Sequence, residues 1–318
     1  MKRLEDSKML LAGAGTETYL GFVQQFPMRQ FCAFEVFEHA EELAKLQQAV
    51  LEPVIDSAAA HGLDMLVDLL VWRAHPDFVA ALGYGDDGVE RLNRLAVART
   101  REFVAAWRAG GGDKSSIDVF LNADIGPRGD GYRVEAESSP DAAQRYHERQ
   151  INVLADAGVD AVNCMTMTNV NETVGIVRAA AEVGLPCIVS PTVETDGRTP
   201  EGLTLAEYVQ QVDAATQSSA LFYMANCAHP THIEPTLHHA RDQRHGWLER
   251  FGGFRANASS KSHAELDEST ELDRGRPQEL GAELARLHRD FDLRLVGGCC
   301  GTDAEHIEHI AAGVAPTA

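Results

Sequence analysis

The chemistry legible in this sequence starts from three cysteines. Cys227 stands in Ala-Asn-Cys-Ala-His, and Cys299 and Cys300 stand together in Gly-Gly-Cys-Cys-Gly-Thr. Three thiolates fill three corners of a zinc tetrahedron and leave one open, the pattern of a catalytic site rather than a closed structural one. An open corner would take up a thiol and lower its pKa, so that the thiolate is present at neutral pH. That thiolate would attack a methyl group on a sulfonium or quaternary ammonium donor in one displacement. Gly297, Gly298 and Gly301 allow the tight backbone path that brings two adjacent cysteines to one ion. No side chain is assigned as an acid or base beyond the metal-bound thiolate. Cys32, Cys164 and Cys187 are read as structural, with Cys32 and Cys164 the two that could approach the site. The competing reading of Cys299 and Cys300 is a redox pair forming a labile vicinal disulfide.

The elements that must position these cysteines follow from the apolar pattern. Short apolar runs at 9–15, 63–72, 117–126, 159–167, 186–193, 220–228, 250–256 and 293–299 alternate with amphipathic stretches. Such runs, several of them rich in Val, Ile and Phe, are what parallel strands buried on both faces require; the seventh is the weakest. Leu43, Leu46, Val50, Val54 and Ala58 make a helical stripe, Ser139-Pro140 opens a helix to about Ala157, and Leu280, Leu284 and Leu287 mark another. Thr204 with Glu207, and Thr302 with Glu305, fit capping boxes, and Gly184 before Pro186 fits a helix stop. Eight strand–helix pairs predict a (β/α)8 TIM barrel in a single domain over 1–318, with a doubly wound open sheet as the alternative. Cys227 then closes strand six and the Cys299–Cys300 pair closes strand eight, at the end of a barrel where active sites are built. Two long connections, 14–38 with its phenylalanines and the polar 257–276, follow strands and are expected over the same mouth.

Bulk composition narrows the partners. With 44% hydrophobic and 24% charged residues among 318, the chain is an ordinary globular protein. Its net charge of −20 argues against nucleic acid or an anionic membrane, both of which repel a polyanion. No apolar run approaches the length of a membrane helix, the polar start lacks the core of a signal peptide, and six cysteines are too sparse for a disulfide scaffold. The chain is therefore read as cytoplasmic, with small molecules as partners.

The cysteine motifs resemble those of the homocysteine S-methyltransferase family, which includes the betaine- and S-methylmethionine-using enzymes and the homocysteine domain of cobalamin-dependent methionine synthase. Asn226-Cys227 and Gly297-Gly298-Cys299-Cys300-Gly301-Thr302 carry the likeness. Gly13-Ala14-Gly15-Thr16-Glu17 is similar to the family's first-strand glycine turn, Ile125-Gly126-Pro127 to its strand-three motif, and Tyr146-His147 with Gln150 to its next helix. The resemblance implies a zinc-dependent S-methyltransferase with a thiol acceptor, and Cys227, Cys299 and Cys300 as metal ligands. It also implies departures. Ala12 stands where the family usually has Asp, Met165-Thr166 where it has Glu-Thr, and Leu69 to Trp72 where it has Asn-Thr. The two missing acids help hold the ammonium of homocysteine in the family. Either the acceptor is a different thiol, one without an α-amino group, or Glu17, Asp68 or Asp124 takes the ammonium. The amides of Ala14, Gly15 and Thr16 are expected to receive a carboxylate.

The donor must be a cation, and the 14–38 phenylalanines with Trp72 are expected to surround it. Substrate contacts are thus placed at Ala14, Gly15, Thr16, Glu17, Trp72, Met165 and Asn226. Asn226 positions its strand end or bonds a substrate carboxylate, and His229 is the histidine expected nearest the mouth; a second metal site among His229, His232, His238, His239 and His245 is the weaker idea. A chain without the family's tetramerising arm is expected to be a monomer or homodimer. A non-catalytic zinc- or thiol-binding relative is the other functional alternative.

Overall fold

Residues 3–316, apart from 112, 113, 115, 135–137 and 270, are described by a computed structural model. Eight parallel strands close on themselves in chain order: β1 (Leu10–Ala12), β2 (Asp64–Leu69), β3 (Val119–Ile125), β4 (Ala161–Met167), β5 (Cys187–Pro191), β6 (Phe222–Ala228), β7 (Phe251–Ala256) and β8 (Leu295–Gly298), with β8 paired back onto β1. Every strand falls inside its predicted run. The open-sheet alternative is excluded by the Leu10–Leu295 pairing that closes the cylinder.

Each strand is followed by a helix. The first stretch, α1 (40–60), presents Leu43, Leu46, Val50, Val54 and Ala58 to the core, all buried. It contains a π turn at Gln47–Leu51, immediately before Pro53. Proline has no N–H for the helical ladder, and a wider turn absorbs that gap. The others are α2 (Gly88–Ala109), α3 (Pro140–Ala157), α4 (Val170–Glu182), α5 (Leu205–Thr216), α6 (Pro230–Asp242), α7 (Pro277–Phe291) and α8 (Ala304–Val314). Ser139 caps α3 as expected, and Thr204 with Glu207 forms the capping box of α5. The expected Thr302–Glu305 box is not the one that forms. Asp303 caps α8 and pairs with His306, one residue along. Thr302 is spent elsewhere: its hydroxyl donates to the Cys299 carbonyl at 2.7 Å.

The barrel interior is layered. Leu10, Leu66, Phe120, Ala161, Ile188, Phe222 and Leu295 fill the N-terminal half, with Leu4 against them. Strand alternation carries the same inward-facing set upward to Ala12, Asp68, Asn122, Asp124, Asn163, Met165, Ser190, Asn226 and Arg255, so the C-terminal half becomes polar while staying buried. Valine, leucine and isoleucine on the alternate positions pack outward against the helices. No described helix is long and apolar enough to cross a membrane.

Candidate metal centre

Cys227 reaches the mouth by breaking strand alternation. Asn226 points into the barrel, so a regular strand would send Cys227 outward into the helical layer. Instead the β6–β7 register shifts between Asn226 and Ala228, and Cys227 takes φ +54, which turns its side chain toward the mouth. A left-handed conformation is costly for a residue with a Cβ, and neighbouring bonds hold it. His263 Nε2 bonds the Cys227 carbonyl at 2.5 Å. Asn226 accepts from the Thr166 amide at 3.0 Å and from Ser190 Oγ at 2.6 Å, and its Nδ2 donates to Thr166 Oγ1 at 2.8 Å. Asn226 is fully buried, and besides these bonds its Nδ2 lies 4.0 Å from Cys299 Sγ, so it ties the strand ends to the cysteine loop.

Cys299 and Cys300 follow β8, where Gly297 and Gly298 have no room for a side chain: a Cβ on Gly297 would meet Ala12 at 2.7 Å. Gly301, at φ +80, turns the chain away after them. The sulfurs of Cys227, Cys299 and Cys300 lie within 4.8 Å of one another, with Cys227 and Cys300 at 4.0 Å. Zinc–sulfur bonds of about 2.3 Å in a tetrahedron place sulfurs ~3.8 Å apart, so the trio fits such an ion with small adjustments. Among the described residues no other group of three such side chains converges in this way, which leaves the histidines after Cys227 without a second metal site. All six cysteines are free thiols in the structure.

The three thiols are shifted in opposite directions by their mutual hydrogen bonds. Hydrogen bonds from Cys299 and Cys300 hold the Cys227 thiol well below its usual range, helped by the Tyr132 hydroxyl and the Asn226 amide. As donors to that sulfur, Cys299 is pushed up to about 12 and Cys300 well up.

The site opens onto a cavity of about 450 Å³ lined by Phe22, Phe31, Trp72, Tyr132, His263 and Cys300, among others. Of the expected aromatic segment, Phe22 and Phe31 reach it, whereas Phe26, Phe34 and Phe37 are buried in the core. Trp72 donates from Nε1 to the Met165 carbonyl at 3.1 Å, and the Arg73 guanidinium already lies 4.8 Å from its ring. The 257–276 connection does cover the mouth, through Asn257, Ser259, His263 and Leu266. His263 and Tyr132, their rings 4.4 Å apart and tilted by 38°, are site residues that the sequence reading missed. His229, expected there, instead caps α6 and faces Glu283 at 3.6 Å. Cys164 and Cys187 pack outside the barrel wall, and the Cys32 sulfur faces the Gln30 carbonyl at 3.7 Å.

The turn after β1 differs from its expected role. The Gly15 amide donates to the Thr302 carbonyl at 3.1 Å and to Thr302 Oγ1 at 3.0 Å, and the Thr16 amide to the Ala14 carbonyl at 2.9 Å. The Gly15 and Thr16 amides are therefore engaged within the protein. Gly15 instead packs on the metal loop, where a Cβ would collide with the Cys299 carbonyl oxygen.

Beneath the cysteines lies a charged group of which the sequence reading named Glu17, Asp68 and Asp124 but missed Arg255. Arg255 on β7 is buried, and its Nη2 pairs with Asp68 Oδ2 at 2.8 Å. Between them β8 and the end of β1 offer only small residues, Gly297, Ala12 and Gly13, and a Cβ on Gly13 would come within 3.3 Å of Asp68 Oδ2 and 3.8 Å of Arg255 Nη2. Arg255 Nε donates to the Gly298 carbonyl at 3.1 Å. Asn122 Nδ2 ties Asp68 to Asp124, 2.9 Å from each. Burial pushes the Glu17 carboxyl up to about 7, with Cys299 and Asp68 adding like charge and Arg255 opposing it. Burial and then Asp68 push Asp124 well up. Met165 and Ala12 line the remaining wall without charge.

This geometry has known counterparts. Residues 37–314 match the family described as homocysteine S-methyltransferase. The chain belongs to that family. Among relatives of the homocysteine S-methyltransferase family, it is 27% identical over 243 residues to the homocysteine S-methyltransferase YbgG of Bacillus subtilis, covering 73% of this chain and 74% of that one. It is 31% identical over 178 residues to the methionine synthase of Mycobacterium leprae, covering 54% of this chain and only 14% of that larger protein. The fold matches the Escherichia coli homocysteine methyltransferase MmuM in its metallated form, with a TM-score of 0.69, 19% identity and coverage of 96% and 95% of the two chains. Its oxidised form gives 0.72, again at 19% identity, with 97% of each chain covered. The family is one of S-methyltransferases, and the solved relative can hold a metal.

Proposed function

We propose that this S-methyltransferase is zinc-dependent and moves a methyl group from a sulfonium or quaternary ammonium donor to a small thiol. The observation that carries the reading is the convergence of three sulfurs from two strands at the mouth, with Cys300 facing the cavity. Zinc held by Cys227, Cys299 and Cys300 would supply a thiol of lowered pKa at neutral pH. The chain supplies the rest. Asn226 and His263 fix the backbone of the strand end that presents Cys227. Tyr132 and Asn226 offer hydrogen bonds to the sulfurs and keep their charge in place. Trp72, Phe22 and Phe31 give the cavity an apolar, π-rich wall, suited to a methylated cation and to the exclusion of water.

The acceptor is homocysteine or, given Ala12 and Met165, another thiol. The test is a zinc-replete enzyme incubated with homocysteine and other thiols against S-methylmethionine, S-adenosylmethionine and betaine carrying a labelled methyl group. Label in a thioether product is expected, and it should vanish on chelation and return with zinc. A chelated protein of undiminished activity would sink the metal-dependent reading.

A further inference from the structure

Residues 126–134, which follow β3, wrap the indole of Trp72. The Gly126 amide donates to the Trp72 carbonyl at 2.9 Å, and a Cβ on Gly126 would lie 2.6 Å from Trp72 Nε1. A Cβ on Gly131 would lie 3.0 Å from the far edge of the same ring. Tyr132 follows at once, its ring 4.4 Å from that of His263. Trp72, Gly131 and Tyr132 all line the cavity in front of the cysteines. The path of this one connection therefore sets where three parts of the cavity wall stand.

The connection is pinned at Arg128, between the two glycines that hold the indole. The Arg128 amide donates to Glu172 Oε1 at 2.7 Å, and His147 Nε2 donates to the same oxygen at 2.9 Å. Glu172 stands in the first turn of α4, where its own amide donates to Asn169 Oδ1 at 2.9 Å. Burial raises the Glu172 carboxyl, but the bonds from His147 and the Arg128 amide outweigh it and hold the group below its usual range. The Arg128 side chain is fixed as well: Nε donates to Asp77 Oδ2 at 2.6 Å, and the guanidinium lies 4.4 Å from the Tyr146 ring centroid. His147, on α3, is fully buried, and its Nδ1 has no hydrogen-bond partner among the described residues. An unmatched buried nitrogen is costly, and an apolar side chain would fill the same space without it, so the polar use of this ring is its bond to Glu172. Neither Glu172 nor His147 lines the cavity. They stand behind its wall, joined at one oxygen to the amide of the connection that forms it.

We propose that Glu172, with His147, is a positioning residue for the donor half of the cavity: it holds residues 126–134 so that Trp72 and Tyr132 stand where they meet a methylated cation. It touches neither substrate nor metal. This rests on the proposed function, because the donor is placed there against Trp72.

Steady-state kinetics of the zinc-loaded enzyme test the pair, with homocysteine or 4-mercaptobutanoate as the thiol and a labelled methyl group on S-methylmethionine, S-adenosylmethionine or betaine. Glu172→Ala frees the Arg128 amide and should raise the donor KM about tenfold or more, with the thiol KM within about twofold and zinc at one per chain. Glu172→Gln keeps an oxygen where the two bonds meet and should restore the donor KM to within about threefold of native. His147→Leu keeps the volume and removes one of the bonds. It should raise the donor KM about threefold or more, and it carries the test where Glu172→Ala does not fold. A donor KM unchanged in these variants, or donor and thiol KM rising together, would overturn the proposal. An unsubstituted enzyme that moves no label defeats the proposed function instead, and the positioning is then read from Trp72 itself. With Trp107→Phe and Trp247→Phe in place, Trp72 is the sole tryptophan. Glu172→Ala should then increase acrylamide quenching of its fluorescence about twofold or more, as the wall opens locally. Unchanged quenching would show that Glu172 does not hold the wall.

Discussion

Asn226 and Thr166 are joined by two hydrogen bonds, Thr166 N to Asn226 Oδ1 at 3.0 Å and Asn226 Nδ2 to Thr166 Oγ1 at 2.8 Å. Both strands are irregular at this point: Thr166 has φ +59 and Cys227 φ +54, and the register of each strand shifts there. The amide therefore stitches together two bulges, one of which aims Cys227 at the other two cysteines. Asn226→Ala removes both bonds and leaves buried groups unmatched, a loss of about 2–4 kcal/mol in stability. It should also weaken zinc binding, because Cys227 is freed to relax toward the regular strand. Denaturant unfolding and a competitive zinc chelator measure the two effects. A variant that loses stability but holds zinc as tightly as before would show that Asn226 does not position the sulfur.

Gly15 and Cys299 are the second such pair. A methyl group on Gly15 would strike the Cys299 carbonyl and the Thr18 hydroxyl, so the β1 turn and the metal loop cannot both keep their places. Gly15→Ala should reduce zinc affinity and stability together, by about 1–3 kcal/mol of overpacking. Gly62→Ala is the control. Gly62 has open space around its missing Cβ, so only the cost of its φ of +65 remains, and zinc affinity should be unchanged. Equal effects of the two substitutions on zinc affinity would mean that the turn does not brace the loop.

Much of this was legible in the sequence, and the exceptions have physical reasons. Buried parallel strands announce themselves as apolar runs, so all eight could be placed, and the cysteine motifs stood at their ends. Arg255 was hidden because Arg255, Asp68 and Asp124 lie in three separate apolar runs, each of which holds a second charge of the same sign near its start, Arg250, Asp64 and Asp118. Only closure of the cylinder turns them toward one another, past Gly297 and Ala12. Their signal was present nonetheless, since a charge deep in a buried strand demands a partner of opposite sign. Tyr132 and His263 come from connections, whose paths carry no periodicity to read. The bond from the Gly15 amide to Thr302, 287 residues away, could not be read from sequence because only closure of the barrel brings the two together.

Removal of single cysteines separates ligands from core residues. Cys227→Ala, Cys299→Ala and Cys300→Ala should each lower zinc content from one per chain toward none, with little loss in the stability of the metal-free protein. Cys164→Ala should behave oppositely. Its sulfur is fully buried outside the barrel wall, so the cavity costs about 1–2 kcal/mol while zinc content stays at one. Elemental analysis and chelator-treated melting curves read the contrast. A Cys300→Ala protein that keeps a full equivalent of zinc would remove Cys300 from the ligand set.

Glu17 gives the metal-free protein a pH signature. Its carboxyl is raised from 4.5 to about 7 in the folded chain, chiefly by burial. Between those values the folded state binds more protons than the unfolded state, so stability falls as pH rises. The contribution is whole below 4.5 and is lost as pH climbs through about 7. Glu17→Gln cannot ionise and should flatten this decline across the same window, leaving the variant the more stable of the two at pH 8. Melting temperatures of both proteins from pH 4 to 8, in chelator, supply the comparison. Parallel curves would mean that Glu17 ionises freely in the folded protein and that the mouth carries its negative charge without strain.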